Sequence, residues 1–319
     1  MNDDNKIRFL VTGGAGFIGS NLCEYLIEHG HHVRCLDNLS TGNLENISHL
    51  LDNKSFEWIE GTITDYDTCL TATRDVDYVL HQAALGSVPR SMAFPLLYEE
   101  ANIKGTSNML EASLAQGVKK FVYASSSSVY GDSKQLPKKE GEEGRILSPY
   151  ALTKKVNEEY ASLYSEVYGL PTIGLRYFNV YGKRQNPDGQ YAAVIPKFIQ
   201  CLLRNEPPII NGDGTQSRDF TYIKNVVDAN IKAAFSSSVT NGKAYNIACG
   251  DQFSLNELLK NLKELLDKQD IEPDFALERA GDIKHSNADI SKAQHDFGYD
   301  VSYTLFDGLK ETVQWYTNK

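Results

Sequence analysis

The stretch Thr12-Gly13-Gly14-Ala15-Gly16-Phe17-Ile18-Gly19 restricts what this chain can fold into more than any other. It follows a short run of strand formers, Ile7 to Val11. It precedes a helical pattern carrying Leu22, Tyr25, Leu26 and Ile27 that stops at Gly30. His32 to Leu36 reads as a second strand and ends at Asp37. Strand, glycine turn, helix and strand make a βαβ unit. The glycines let the turn tighten, let backbone approach a pyrophosphate and let the helix pack on the strand, while the helix N-terminus offers N–H donors to phosphate oxygens. Gly13, Gly16 and Gly19 fit one spacing; Gly14, Gly16 and Gly19 fit G-x-G-x-x-G. A glycine fingerprint alone is a weak signal. Here the flanking elements and the acid at the end of the second strand make it strong. Asp37 is placed to accept from ribose hydroxyls and opposes a 2′-phosphate, which predicts NAD rather than NADP. A solvated loop acid is poorly supported at that position.

The same alternation continues. Phe56 to Glu60 is a third strand, ending at Gly61-Thr62-Ile63, and Tyr78 to Ala84 is a fourth. A helical segment runs from about Pro95 to Gln116, and Phe121 to Ala124 is a fifth strand. Thr172 to Arg176 is a sixth, running into Tyr177-Phe178-Asn179. This spacing predicts an α/β fold: a Rossmann-type doubly wound parallel sheet. After Asn179 the rhythm changes. Gly182 to Gln190 is turn-rich, Asn211 to Thr215 is a sharp turn, and Leu255 to Leu266 is an amphipathic helix. Ala244 to Ala248 resembles another buried strand returning to the first sheet. The expected division is an NAD-binding domain of residues 1–178 plus about 226–250, and a smaller mixed α/β substrate lobe of about 179–225 plus 251–319.

The fifth strand delivers Ser125-Ser126-Ser127-Ser128-Val129-Tyr130-Gly131, and ligands of open parallel sheets bind at such C-terminal ends. Ser148-Pro149 then reads as a helix start, a capping oxygen followed by proline at the first helical position. Tyr150 and Lys154 stand one turn apart and project from one face. An ammonium beside a phenol favours phenolate and lowers its pKa. With Ser126 nearby, the three side chains make an acid/base site for a secondary alcohol. Tyr-x-x-x-Lys by itself equally describes an ordinary amphipathic helix.

A formal net charge of −10 argues against a general nucleic-acid surface. Small anions remain open, because local arginines and helix N-termini hold them. Cys23, Cys35, Cys69, Cys201 and Cys249 show neither metal spacing nor a disulfide framework, and read as small buried hydrophobes in a reducing compartment. No metal is expected. Met1 to Asn5 lacks signal-peptide features, and no apolar run approaches the ~20 residues that span a bilayer. The expectation is a cytoplasmic protein with no membrane partner.

The order of these motifs, from the glycine turn through the serine run and Tyr-x-x-x-Lys to Arg176-Tyr177-Phe178-Asn179-Val180-Tyr181-Gly182, resembles the extended short-chain dehydrogenase/reductase family over nearly the whole chain. His81 to Ser91 and Gly182 to Pro187 are most similar to nucleotide-sugar 4-epimerases that accept N-acetylated hexosamines, such as bacterial UDP-N-acetylglucosamine 4-epimerases of polysaccharide synthesis. The resemblance implies that Tyr150 takes the proton of the sugar 4-hydroxyl with Ser126 on the same oxygen. Hydride leaves C4 for NAD, the 4-keto sugar rotates, and hydride returns to its other face. Lys154 holds the nicotinamide ribose. By the same resemblance Gly13, Gly16, Phe17, Ile18, Gly19, Asp37, Asn38, Ile63, Gln82, Ala83, Ala84, Asn102, Tyr177 and Phe178 contact the cofactor. Gly86, Ser87, Ser127, Ser128, Gln185, Ala193 and Ser286 fall to the sugar pocket, and Asn179, Arg218, Arg279 and Asp282 to the nucleotide. Asn179 also forms part of the sugar pocket's wall. Arg218 reads otherwise as a surface salt-bridge residue, and Arg90 as substrate-facing or purely structural. Ser286 stands where glucose-restricted epimerases carry a bulky tyrosine, which leaves room for an N-acetyl group. A homodimer through the helices around Pro95 to Gln116 and Tyr150 to Tyr168 is implied as well.

One departure is Thr62, where relatives carry an Asp that bonds the adenine amino group. The sugar 4,6-dehydratases place an acid pair after the catalytic serine or threonine. Ser127 and Ser128 cannot do that proton work at neutral pH, so dehydration is disfavoured. A UDP-uronic acid 4-epimerase or decarboxylase stays open, with Arg184 or an arginine near Ser286 to hold the carboxylate. A non-catalytic NAD-sensing module is the remaining alternative, and it would not need Tyr150, Lys154 and the serines together.

Overall fold

A computed structural model describes residues 7–188, 192–278 and 284–318. Seven strands form one parallel sheet: β1 (Arg8–Thr12), β2 (His32–Asp37), β3 (Phe56–Glu60), β4 (Tyr78–His81), β5 (Lys120–Ser126) and β6 (Thr172–Tyr177), with one further strand at the edge beyond β6. That edge strand, Lys243–Ile247, is β11 in chain order, after the short β7 (Val180–Tyr181), β8 (Ile209–Asn211), β9 (Ser217–Arg218) and β10 (Thr221–Tyr222). The order is β11-β6-β5-β4-β1-β2-β3. The strands read as continuous apolar runs because both faces are covered. Successive side chains alternate between them: Phe9 and Val11 join one buried cluster and Leu10 the other, as do Leu80 against Val79 and Val122 against Phe121.

The chain reverses direction of travel across the sheet between β1 and β4, where the crevice of a doubly wound fold opens. The glycine turn and the loop after β4 both lie there. The helices flanking the sheet are α1 (Phe17–Glu28), α2 (Tyr66–Thr73), the short α3 (Val88–Ala93) and α4 (Pro95–Tyr98), α5 (Gly105–Ala115), α6 (Pro149–Val167) and, later in the chain, α8 (Ile223–Ala234), which follows α7 (Val194–Leu203). The remaining strands pair two by two: β7 with β10, β9 with β12 (Phe253–Ser254), and β8 with β13 (Asp274–Ala276). They pack with α7, α9 (Leu255–Leu266), α10 (Ser291–Phe297) and α11 (Leu305–Thr317) through Phe198, Ile199, Leu258, Leu262, Ala293 and Leu309. Ser254 and Glu257 close a reciprocal capping box at the start of α9.

Three differences from the sequence expectation bear on the site. β4 ends at His81, not Ala84. Ala83 N–H turns onto the Thr12 hydroxyl at 3.2 Å, and Asn102 then holds Leu85 by both ends of its amide, at 2.8 and 3.1 Å. The helix from Pro95 to Gln116 is broken by a π-turn at Glu99–Lys104, which carries Asn102 inward; such widened turns recur at functional sites. β5 runs two residues further than Ala124, so Ser125 and Ser126 belong to the sheet. Among the described residues no helix is long and apolar enough to cross a membrane.

Candidate active site

A cavity of about 400 Å³ opens at the crevice between the glycine turn and the ends of β2, β3 and β4. Gly13 has φ +66°, and a Cβ there would lie 2.7 Å from Ala83 N; one on Gly19 would lie 2.1 Å from the Gly13 carbonyl oxygen. Only glycine satisfies both positions. Gly16 caps α1 with no side-chain acceptor and no acid follows in the first turn, so the N–H groups there are left for an anion. Phe17 and Ile18 line the same wall, and Asn38 and Ile63 line the side towards β2 and β3. Gln82, Ala83, Ala84 and Gly86 form the floor after β4. Asp37 lies at its rim, accepting from Ala15 N–H at 3.0 Å and Leu39 N–H at 2.8 Å. Burial pushes its carboxyl up, against the downward pull of those backbone N–H groups. The glycine cradle, the unpaired helix N-terminus and the acid at the end of β2 together fit a dinucleotide. Thr62 lines this cavity and spends its hydroxyl on Thr64.

A second cavity, about 340 Å³, lies beyond the C-terminal ends of β5 and β6. Ser126, Ser127 and Ser128 form one wall and Tyr150 another. Tyr177, Phe178 and Asn179 contribute from the end of β6, Ser87 from the start of α3, and Ser286 from the C-terminal segment. Local chemistry builds this arrangement. Ser148 caps α6, accepting from Ala151 N–H at 3.1 Å, with Pro149 in the first turn, and Tyr150 N–H donates to the Ser91 hydroxyl at 3.1 Å. Ser126 hydrogen-bonds the Tyr150 phenol and also caps the turn Ser127–Tyr130 through Ser128 N–H at 3.2 Å. The Ser128 hydroxyl is buried and has no hydrogen-bond partner among the described residues.

Lys154 donates to the Ala124 carbonyl at 2.7 Å, and its ammonium stands 5.9 Å from the Tyr150 ring centre. Burial pulls its pKa down to about 8, opposed by Glu158 one turn further along α6. Lys154 is expected to lower the Tyr150 pKa, but burial is the larger influence on the phenol. Burial raises the phenol, and the hydrogen bond from Ser126 is what draws it back. The ammonium is committed to a carbonyl and lies over the ring, away from direct contact with the phenol oxygen.

A third cavity, about 710 Å³, lies between α7 and the small strand pairs. Asn179, Ala193 and Arg218 line it, and Asn179 is shared with the second cavity. Arg218 donates to the Ser217 carbonyl at 2.9 Å, and Asn179 to the Asp219 carbonyl at 2.8 Å. Other expected residues fall elsewhere. Asn102 is fully buried and bonds Leu85 and Thr153, so it shapes the cofactor loop from behind. Gln185 donates to the Val180 carbonyl at 3.0 Å and lines none of the three cavities, nor does Arg90 on α3. Arg184 pairs with Glu24 of α1 and does not line the cavity of the serine wall. Arg279 and Asp282 lie outside the described residues.

The sequence did not single out several structural partners. Asn230 of α8 closes a triangle with Gln82 and Tyr177, with contacts of 3.0, 3.2 and 2.8 Å. It is far from both in sequence, and no local pattern marks it. Glu158 was findable, standing four residues beyond Lys154 on the same helical face. Lys138 lines the second cavity from a loop with no motif of its own.

Fold, glycine cradle and the Ser126–Tyr150–Lys154 group define a Rossmann-type, dinucleotide-binding protein equipped to handle an alcohol. Residues 9–248 match the model of the NAD dependent epimerase/dehydratase family, and the chain belongs to that family. A putative UDP-glucose 4-epimerase of Methanocaldococcus jannaschii is 40% identical over 311 residues, covering 97% of this chain and 98% of the relative. A UDP-N-acetylglucosamine 4-epimerase from Methanobrevibacter ruminantium, solved with UDP-N-acetylmuramic acid, superposes with a TM-score of 0.92 at 41% identity, over 98% of this chain and 99% of that one. A UDP-glucuronic acid 4-epimerase from Bacillus cereus, solved with UDP-glucuronic acid and NAD, gives a TM-score of 0.89 at 33% identity, with the same coverage.

Proposed function

We propose that the protein inverts C4 of a UDP-hexose, interconverting UDP-N-acetylglucosamine and UDP-N-acetylgalactosamine for surface polysaccharide synthesis. The observation that carries this reading is the shared wall of the second and third cavities. Asn179 joins the chamber of Ser126 and Tyr150 to a larger one containing Arg218, so a sugar in the first leaves room for its nucleotide in the second. Tyr150 exchanges the proton of the 4-hydroxyl and Ser126 fixes that oxygen, a task for which general acid/base groups supply roughly 10²–10⁴ in rate. Lys154 holds its ammonium on the Ala124 carbonyl of β5, over the Tyr150 ring. NAD, held by Gly13, Gly16, Gly19 and Asp37, supplies the reversible two-electron acceptor. Ser127 and Ser128 are wall residues with no acid to drive elimination.

Ser286 faces the same chamber and is small, which favours an acetylated sugar. Ser286→Tyr is expected to lower the ratio of UDP-N-acetylglucosamine to UDP-glucose turnover by at least tenfold, read by NMR product analysis. An unchanged ratio would remove the acetyl-pocket reading. The uronic-acid reading is favoured by relatives that act on UDP-glucuronate, but Arg184 gives it no support, being occupied by Glu24. Purified enzyme assayed on UDP-N-acetylglucosamine and UDP-glucuronate side by side separates the two.

The reading includes a homodimer. Leu96, Met92 and Phe94 around α3 and α4 are 77%, 61% and 57% exposed, and Leu152, Leu163 and Val167 add a second apolar row on α6. Apolar exposure on this scale marks an interaction face. Sedimentation of the wild type is expected to give a dimer, and of Leu96→Glu/Leu163→Glu a monomer; a monomeric wild type would exclude it. The two-lobe division and the cytoplasmic location belong to the same reading.

A further inference from the structure

The loop of residues 182–188 leaves β7 and returns to the wall of the third cavity. Val180 and Tyr181 line that cavity before the loop, and Pro187 and Asp188 line it at the loop's end. Lys183 and Arg184, in between, line none of the three cavities. Both reach instead to Glu24 of α1, Lys183 to one carboxylate oxygen and Arg184 to the other. His49 Nε2 stands 3.2 Å from the same carboxylate. Two further contacts lie alongside. The Asn21 amide donates to the Lys183 carbonyl at 3.2 Å, and Arg184 donates to the Ser20 carbonyl at 3.4 Å. Ser20, Asn21 and Glu24 share one face of α1. The first turn of that helix, Phe17, Ile18 and Gly19, lines the dinucleotide cavity.

Two features set this contact apart from a surface ion pair. The Arg184 and Glu24 side chains are only 10% and 17% exposed. Burial pushes the Glu24 carboxyl up, but the hydrogen bonds from Arg184 and Lys183 outweigh it and hold the group below the ordinary carboxylate value. Arg184 also keeps φ at +69°, a left-handed conformation that a non-glycine residue retains only where surrounding contacts demand it. The loop's other fixings are Tyr316 of α11 on the Gln185 carbonyl and Gln200 of α7 on Asp188 at 3.4 Å. Neither of those reaches α1. We propose that Glu24 is a positioning residue for nucleotide binding: by gripping Lys183 and Arg184 it seats the loop on α1, and so fixes the Pro187–Asp188 wall of the third cavity in register with the dinucleotide cradle. A nucleoside diphosphate in that cavity then meets a wall already set in place. This rests on the reading of the third cavity as the nucleotide site.

The test is calorimetric titration of the NAD-loaded protein with UDP, beside steady-state epimerisation of UDP-N-acetylglucosamine. In Glu24→Gln, Kd for UDP and KM for the sugar nucleotide are expected to rise together by about tenfold, the scale of one lost charge-assisted contact, while kcat stays within about twofold and NAD content is unchanged. Arg184→Gln is expected to shift both constants the same way, and it carries the test should the Glu24 variant not fold. The double variant Glu24→Gln/Arg184→Gln is expected to add little to the larger single effect, because both changes break one contact. A UDP Kd unchanged in the folded single variants overturns the positioning role. So does a fall in kcat at unchanged KM, or full additivity in the double variant. Failure of the wild type to bind UDP overturns instead the reading of the third cavity as the nucleotide site.

Discussion

Tyr150→Phe is expected to lower the epimerisation rate by roughly 10³-fold while the protein still folds and binds NAD, in line with the loss of one positioned acid/base group. The phenol oxygen is the only atom removed. The ring keeps its edge contact with Tyr98, at a centroid distance of 6.3 Å, and the backbone N–H of residue 150 keeps its bond to Ser91. Ser126 loses its partner on the phenol but still caps the turn after β5 through Ser128 N–H. Turnover of UDP-N-acetylglucosamine measured beside NAD content separates a chemical defect from a structural one. A variant turning over within tenfold of wild type would overturn the assignment of Tyr150 as the proton-transfer group. Burial raises the phenol, so the acid/base poise needed at neutral pH is not built from Lys154 alone. Ser126→Ala removes the one protein contact that lowers it, and is expected to cost less than Tyr150→Phe.

The sheet and its crevice were legible because their causes are local. β3, the start of α6 and the limits of α9 fall where an apolar run, a Ser-Pro cap and an amphipathic pattern place them. Gly13 and Gly19 were legible for a physical reason: a side chain at either would strike backbone within 3 Å. Tertiary contacts were not. Asn102, expected near the cofactor, sits buried on the π-turn with its amide bonded to Leu85 and Thr153, partners no local pattern encodes. Gln185 was assigned to the sugar pocket, but the loop turns its amide back onto Val180. Lys138 lies between a proline and another lysine, with no local pattern to mark it as buried. Its bridge to Ala288 and its backbone bonds to Asn287 and Asp289, which no local pattern encodes, hold it there.

The polar network behind the serine wall is the other place where one substitution should have a large effect. Arg176 of β6 is 4% exposed and grips Glu158 of α6 bidentately, Nε to Oε1 and Nη2 to Oε2, both at 2.8 Å. Its remaining nitrogen reaches Glu143 and the Tyr130 hydroxyl, the latter at 3.1 Å and itself bonded to Asn246 at 2.7 Å. Ser125, at the end of β5, donates to Glu158 at 2.6 Å. The Glu158 carboxylate thus ties β6, through Arg176, and the strand that ends in Ser126, through Ser125, to the helix that carries Tyr150 and Lys154. Arg176→Met leaves Glu158 buried without its principal counter-charge, which should cost about 3–5 kcal/mol of stability in denaturant unfolding. The double variant Arg176→Met/Glu158→Leu removes the stranded charge too and should recover a large part of that loss, since replacing both partners of a buried pair by apolar groups is often close to neutral. A single variant within about 1 kcal/mol of wild type would show that the pair is not the clamp its geometry describes. If the double variant regains stability but not epimerase activity, Glu158 matters through its field on Lys154, whose pKa it raises against burial. If activity returns with stability, the network serves only to hold β5 against α6.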